Sequence, residues 1–224
     1  WLQFRDRAGQ EISWLRRTTL ALIAVGAVAV CVLLALYWDT FGVRYHSREY
    51  TVIERLLTQS RVLWDYVAQF YLPDVARLGI YHDDVPLSTS LWQPASTLPA
   101  ILGWLSVLGS TVLLWRWRAG RRLAFGPLFF LAGHSIESTV WPLELYFEHR
   151  NYLPGVGLAL LPLTVYVLLA GTWREVARPL QAWMACLLIY PALLTSSQVQ
   201  IWSSAPPLAF QQAKGHPDSA RANA

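Results

Sequence analysis

The chain has 224 residues, 54% of them hydrophobic and 14% charged, with a mean hydropathy of +0.32 and a net charge of +4. Ordinary soluble domains carry roughly 25% charged residues, so the composition points to an integral membrane protein. Lys214 is the only lysine, and the arginines cluster beside apolar segments. That placement suits membrane topology and excludes a nucleic-acid partner.

Residues 1–17 are polar and carry Arg5, Arg7, Arg16 and Arg17. Residues 18–38 contain no charge, and about twenty residues at 1.5 Å each cross a bilayer core. Tyr37 and Trp38 mark the far interface of this first expected span. Residues 39–96 form a long polar loop. Within it, 51–71 has a helical stripe of Ile53, Leu56, Leu57, Trp64, Val67 and Tyr71. Arg61 and Asp65, spaced i,i+4, fall on another face as a surface pair would. This predicts a helix lying on the membrane or on the bundle, ended or bent by Pro73. A turn-rich loop with His82, Asp83 and Asp84 follows.

Further spans are expected at 97–115, 123–141, 152–172 and 179–196. Arg116, Arg118, Arg121 and Arg122 form a basic loop between the first two of these. Basic segments 1–17, 116–122 and 173–178 then alternate onto one side, which the positive-inside rule assigns to the cytoplasm. The C-terminus falls on the extracytoplasmic side. Cys31 and Cys186 lie in apolar segments and read as small buried hydrophobes. The chain opens on Trp1 and ends at Ala224 in a charged, Ala-rich stretch, which reads as a piece of a longer protein.

The charge-dense loop between the 123–141 and 152–172 spans is the leading candidate site. Ionisable groups at membrane depth are costly and usually functional. Arg150 suits phosphate, because its planar fork donates two parallel hydrogen bonds. Glu148 and His149 stand beside it, able to orient it or move a proton. His134 and Glu137 are spaced i,i+3 and would share a helix face with a polar cleft that Glu144 also reaches. Asp83 and Asp84 resemble acidic pairs that serve as base or metal ligand, although such pairs in Gly/Pro-rich loops are usually solvated turns. The spacing of His134 and Glu137 matches no zinc-hydrolase motif, so no motif supports a divalent metal. No P-loop, G-x-G-x-x-G, G-x-S-x-G or C-x-x-C pair is present either.

The run W-P-L-E-L-Y-F-E-H-R-N-Y-L-P-G-V-G resembles a segment of the tetratricopeptide-containing transmembrane O-mannosyltransferase-like proteins of the GT-C class. Glu148, His149, Arg150, Tyr152, Leu153, Pro154, Gly155 and Gly157 carry the likeness, with Gly155 where the family has Ser. Residues Arg55–Tyr66 and Leu78–Ser88 look like the bacterial branch. The tail from Ile201 and Trp202 through Leu208, Ala209, Ala213, His216, Pro217 and Ala220 resembles the junction into a tetratricopeptide array. The resemblance implies an all-α polytopic protein of about five transmembrane helices, with an interfacial helix in the first extracytoplasmic loop and the start of the repeats at the C-terminus. It implies a bacterial inner membrane and transfer of a sugar from a polyprenyl-phosphate donor to an extracytoplasmic acceptor, a protein. Arg150, His149 and Glu148 would hold the donor phosphate, and the catalytic acid would lie outside this chain. A membrane anchor that presents repeats to protein partners is the other leading reading, ahead of an intramembrane metal hydrolase or a piece of a transporter.

Overall fold

The structure, a computed structural model, describes residues 48–223 and scattered positions between 17 and 46. It divides into two compact units, Trp1–Glu49 and Tyr50–Ala224. The first expected span at 18–38 and the basic segment 1–17 lie largely outside the described residues. The second unit carries the architecture described below, and among the described residues there is no strand.

Helix α1 spans Val52–Tyr71. Thr51 caps it, accepting from the Glu54 backbone N–H while Glu54 reaches back to the Thr51 N–H, a reciprocal capping box. Its buried face is Arg55, Thr58, Gln59, Val62 and Tyr66, at helical spacing. Ile53 and Leu56, from the expected apolar stripe, are exposed. The helix therefore turns a largely polar face inward and leaves Ile53 and Leu56 facing outward.

Helix α2 spans Thr97–Leu114, helix α3 Arg118–Gly133, helix α4 Tyr152–Thr172, helix α5 Arg174–Trp202 and helix α6 Ala205–Gly215. Three stretches are long and apolar enough to cross a membrane: Thr97–Leu114, Glu148–Gly171 and Glu175–Trp202. Leu102, Leu105, Val112, Leu163, Val167, Leu188 and Leu193 on them are exposed, which leaves apolar surface for lipid. Cys186 is likewise free and exposed on α5, not buried in a core.

The segment expected to span at 123–141 takes another form. Helix α3 starts inside the arginine-rich turn and stops at Gly133 after 16 residues, about 24 Å of rise. His134 is its C-cap, and residues 134–140 form turns. His134 and Glu137 thus do not share a helix face. Helix α5, by contrast, extends well beyond the expected 179–196, because its polar ends continue the same helical turn.

Glycines set the crossing of α3 and α4. A Cβ on Gly126 would lie 2.7 Å from the Gly157 carbonyl oxygen, and one on Gly157 would lie 2.5 Å from the Gly126 oxygen. The two backbones touch, the close approach that small residues permit between apolar helices. Beside this crossing sits the core of Val62, Tyr66, Phe130, Tyr146 and Leu158. Trp64 and Trp104 stack at 4.4 Å and bond the Ala100 and Ser60 carbonyls, fixing α1 to α2.

The tail forms one helix, α6, followed by turns. The helix pair of a tetratricopeptide repeat is not among the described residues.

Candidate functional site

Loops and helix α6 at one end of the bundle form a polar layer from residues 78–88, 134–151 and 205–223. Arg55, fully buried on α1, is its central staple. Its guanidinium donates to the carbonyls of Glu137 at 2.7 Å, Thr139 at 2.8 Å and Leu143. Gln59 donates to Leu145 O at 2.6 Å. Tyr66 donates to Phe147 O and accepts from Phe147 N–H. One helix face thus binds the backbone of the strap at residues 137, 139, 143, 145 and 147.

Arg150 is turned inward, with its side chain 5% exposed. Its Nε lies 3.3 Å from Glu137 Oε2, its Nη1 donates to Glu144 O at 2.7 Å, and its guanidinium sits 5.2 Å from the Phe147 ring centre. His134 is buried between Tyr66 and Phe130 and bonds Ser138 and Asn151. His149 is exposed and leans on Phe147. Glu148 points elsewhere, toward Gly79 N–H at 3.1 Å and His82 Nε2 at 3.2 Å. The three consecutive residues expected to share a phosphate therefore face three ways, as the short 3-10 turn Glu148–Asn151 dictates.

The tail completes this layer. His216 Nδ1 lies 2.9 Å from Asp84 Oδ2, and Ser219 donates to Asp83. Burial raises the Asp83 carboxyl, but bonds from Ser219 and backbone N–H groups and the charge of Arg221 bring it below its ordinary value. Arg221 pairs with Glu144 at 3.3 Å and covers the Tyr81 ring at 4.7 Å. His82 and His216 meet edge to face at 4.6 Å, and one ligating atom from each of His82, Asp84 and His216 lies within 4.8 Å of the others. Local spacing could not reveal this cluster, because 132 residues separate Asp84 from His216.

A second feature lies between α1 and the start of α2. It is an open cleft of about 580 Å³. Arg61, Arg77, Asp65 and Tyr146 supply its polar wall, while Ala100 and Gly103 of α2 line the apolar one. Asp65 pairs with Arg77 at 2.6 Å, not with Arg61, and accepts the Tyr146 hydroxyl at 2.7 Å. Arg61 donates to Ser96 Oγ and Pro86 O. Burial, with Asp65 beside it, holds the Tyr146 hydroxyl far above its ordinary pKa, so it stays a donor.

No protein-family model, curated protein or solved structure matches this chain.

Proposed function

We propose that this chain is part of a membrane glycosyltransferase that moves a sugar from a polyprenyl-phosphate donor to an extracytoplasmic protein. The carrying observation is the cleft between α1 and α2. It sets Arg61, the Asp65–Arg77 pair and the Tyr146 hydroxyl that Asp65 holds against the apolar wall of a helix long enough to cross a membrane. A lipid-linked phosphate needs that combination: a place for its chain in lipid and positioned cations for its headgroup. Arg61 and Arg77 are the phosphate contacts in this reading, and the Trp64 indole offers a face for the sugar. The negative charge that grows on the leaving phosphate is stabilised by those cations. The motif likeness around Arg150 supports the same reaction class, with Arg150 holding the strap that carries Tyr146.

The test is sugar transfer by the full-length protein from a polyprenyl-phosphate-linked donor in membranes. Arg61→Ala and Arg77→Ala should each lower transfer at least tenfold with insertion and thermal stability intact. Transfer at the normal rate by both variants would refute the assignment.

A repeat-presenting anchor is the second reading. It is favoured by the bonds that tie the tail to the polar layer, Asp84 with His216 and Glu144 with Arg221. Under it, the cleft variants are silent and removal of residues 205–224 is not.

A further inference from the structure

The polar layer holds a buried nitrogen with nothing to bond. His216 is 5% exposed, its Nδ1 faces the Asp84 carboxylate, and its Nε2 is buried without a hydrogen-bond partner. An Nδ1–H donated to a carboxylate puts the lone pair on Nε2. A buried lone pair left alone costs free energy unless something else occupies it.

Its surroundings are those of a metal ligand. A Cβ built on Gly79 would fall 2.8 Å from His216 Nε2 and 2.7 Å from Gln212 Oε1, so only glycine leaves this space open. Around the same glycine, Glu148 Oε1 accepts from the Gly79 N–H at 3.1 Å, and His82 Nε2 approaches the Gly79 oxygen at 3.0 Å. Glu148 Oε1 and His82 Nε2 are themselves 3.2 Å apart, close to the separation of two ligands on one tetrahedral ion with bonds of about 2.0–2.1 Å.

We propose that His82, Asp84, Glu148 and His216 form a binding site for one divalent ion of the zinc class. The donor atoms of His82, Asp84 and His216 gather within 4.8 Å of one another, and Glu148, 3.2 Å from His82 Nε2, completes the set. The Asp84 carboxylate, 2.9 Å from His216 Nδ1, also orients that ring, the role a carboxylate takes beside a ligating histidine. The mixed nitrogen and oxygen set selects zinc and its neighbours over calcium or magnesium, which take oxygen ligands. The ion takes the place of the hydrogen that His82 Nε2 turns toward Gly79 O and Glu148, and the ring binds as the neutral tautomer with its hydrogen on Nδ1. The site joins the 79–84 loop, the turn before α4 and the end of α6. Bound metal therefore locks the tail onto the polar layer.

Two measurements test this on the chain in detergent after chelator treatment. In competition with a chromophoric zinc indicator, one equivalent of Zn²⁺ should bind. Affinity should fall at least about 100-fold in His82→Ala, His216→Ala and Glu148→Gln, and about 10–100-fold in Asp84→Asn, the loss typical of an orienting partner. His149→Ala, exposed and outside the cluster, should bind as the parent does. The second measurement needs no variant. Lys214 is the only lysine and is exposed two residues before His216, so a lysine-specific protease cuts the chain once. Zinc should slow that cut and magnesium should not. Zinc binding no tighter than in His216→Ala, or cleavage at Lys214 indifferent to zinc, overturns the proposal.

Discussion

Arg150 Nε lies 3.3 Å from Glu137 Oε2 while its Nη1 donates to the Glu144 carbonyl at 2.7 Å, so the guanidinium expected to hold a phosphate instead ties together two points of the 137–147 strap. The side chain that looked freest for a phosphate is the most committed of the three consecutive residues. Its neighbour His149 is the exposed one. The chemistry that makes arginine a good phosphate ligand, a planar fork with several donors, also makes it a good clamp for carbonyls.

Arg150→Ala should therefore act first on stability. It strips a bond from a part-buried carbonyl and a cation from Glu137, a loss of about 1–3 kcal/mol. Thermal unfolding in detergent checks this. Arg150→Lys should recover only part, because an ammonium cannot reproduce both contacts of the fork. An Arg150→Ala protein as stable as the parent, with sugar transfer abolished, would return Arg150 to the phosphate.

Arg55→Met should cost more. Its guanidinium holds the Glu137, Thr139 and Leu143 carbonyls, and a thioether satisfies none of them. Leaving buried acceptors unpaired costs about 1–3 kcal/mol each, so the strap should detach before the helices unfold. Hydrogen exchange should rise across 137–147 and stay low in α4. Equal protection in the variant would show that the strap holds itself.

How far the sequence foretold this arrangement varied with the signal. Helices α2 and α4 match the expected 97–115 and 152–172, because a long charge-free run has one meaning in lipid. Helix α1 matches 51–71, since Thr51 and Pro73 bracket a clear period. Which face it buries did not follow. Ile53 and Leu56 look like core in water, yet Arg55 and Gln59 hold the interior. Helix α3 misled because its first turn is arginine-rich and its end is the Gly133–His134 corner, while hydropathy averages over both. The pairs Asp84–His216 and Glu144–Arg221 could not be read at all. They depend on where α5 returns the chain, and no local pattern encodes that.

The glycine crossing gives a packing test. Gly126→Val must push its branched side chain into the Gly157 carbonyl, where even a Cβ would stand at 2.7 Å. Overpacking of this kind costs about 1–3 kcal/mol or forces the helices apart. Gly109→Ala on α2 meets nothing within 4 Å and should be neutral or slightly stabilising. Thermal unfolding of the two side by side is the check. Similar effects from both would mean that α3 and α4 do not touch there.

Alkaline pH should probe the α1 core. Burial pushes the Tyr66 hydroxyl up to about 12, and the bond it accepts from the Phe147 N–H lowers it only in part. Burial also pushes Tyr71 up to about 12. An unfolded tyrosine titrates near 10. The folded state thus favours the neutral phenol. Its contribution is complete below about pH 10 and is lost as pH rises through about 12. For Tyr66, a shift of about two units corresponds to roughly 2–3 kcal/mol across that window. Unfolding temperature should fall steeply between pH 10 and 12, and phenolate absorbance should show tyrosines that ionise only as the fold is lost. Tyr66→Phe should flatten part of the fall while lowering stability at neutral pH, because the Phe147 N–H and C=O both lose their partner. A variant with the same alkaline slope as the parent would place the titrating group elsewhere.

The two ends of the bundle differ in charge, and that difference makes topology measurable. Arg116, Arg118, Arg121 and Arg122 crowd the α2–α3 turn, while His82, Asp83, Glu144 and Glu148 lie in the polar layer at the other end. From the positive-inside rule we propose that the arginine turn faces the cytoplasm and the polar layer the opposite side. With Cys31 and Cys186 replaced, single cysteines at His149 and Ala119 report on the two ends, since both positions are exposed. Position 119 is preferable to its neighbour Gly120, where a Cβ would strike the Leu114 carbonyl oxygen. A membrane-impermeant maleimide added outside intact cells should label His149→Cys and spare Ala119→Cys until the cells are opened. The opposite pattern would invert the orientation and put the cleft, the strap and the tail in the cytoplasm. Transfer to an extracytoplasmic acceptor would then be excluded.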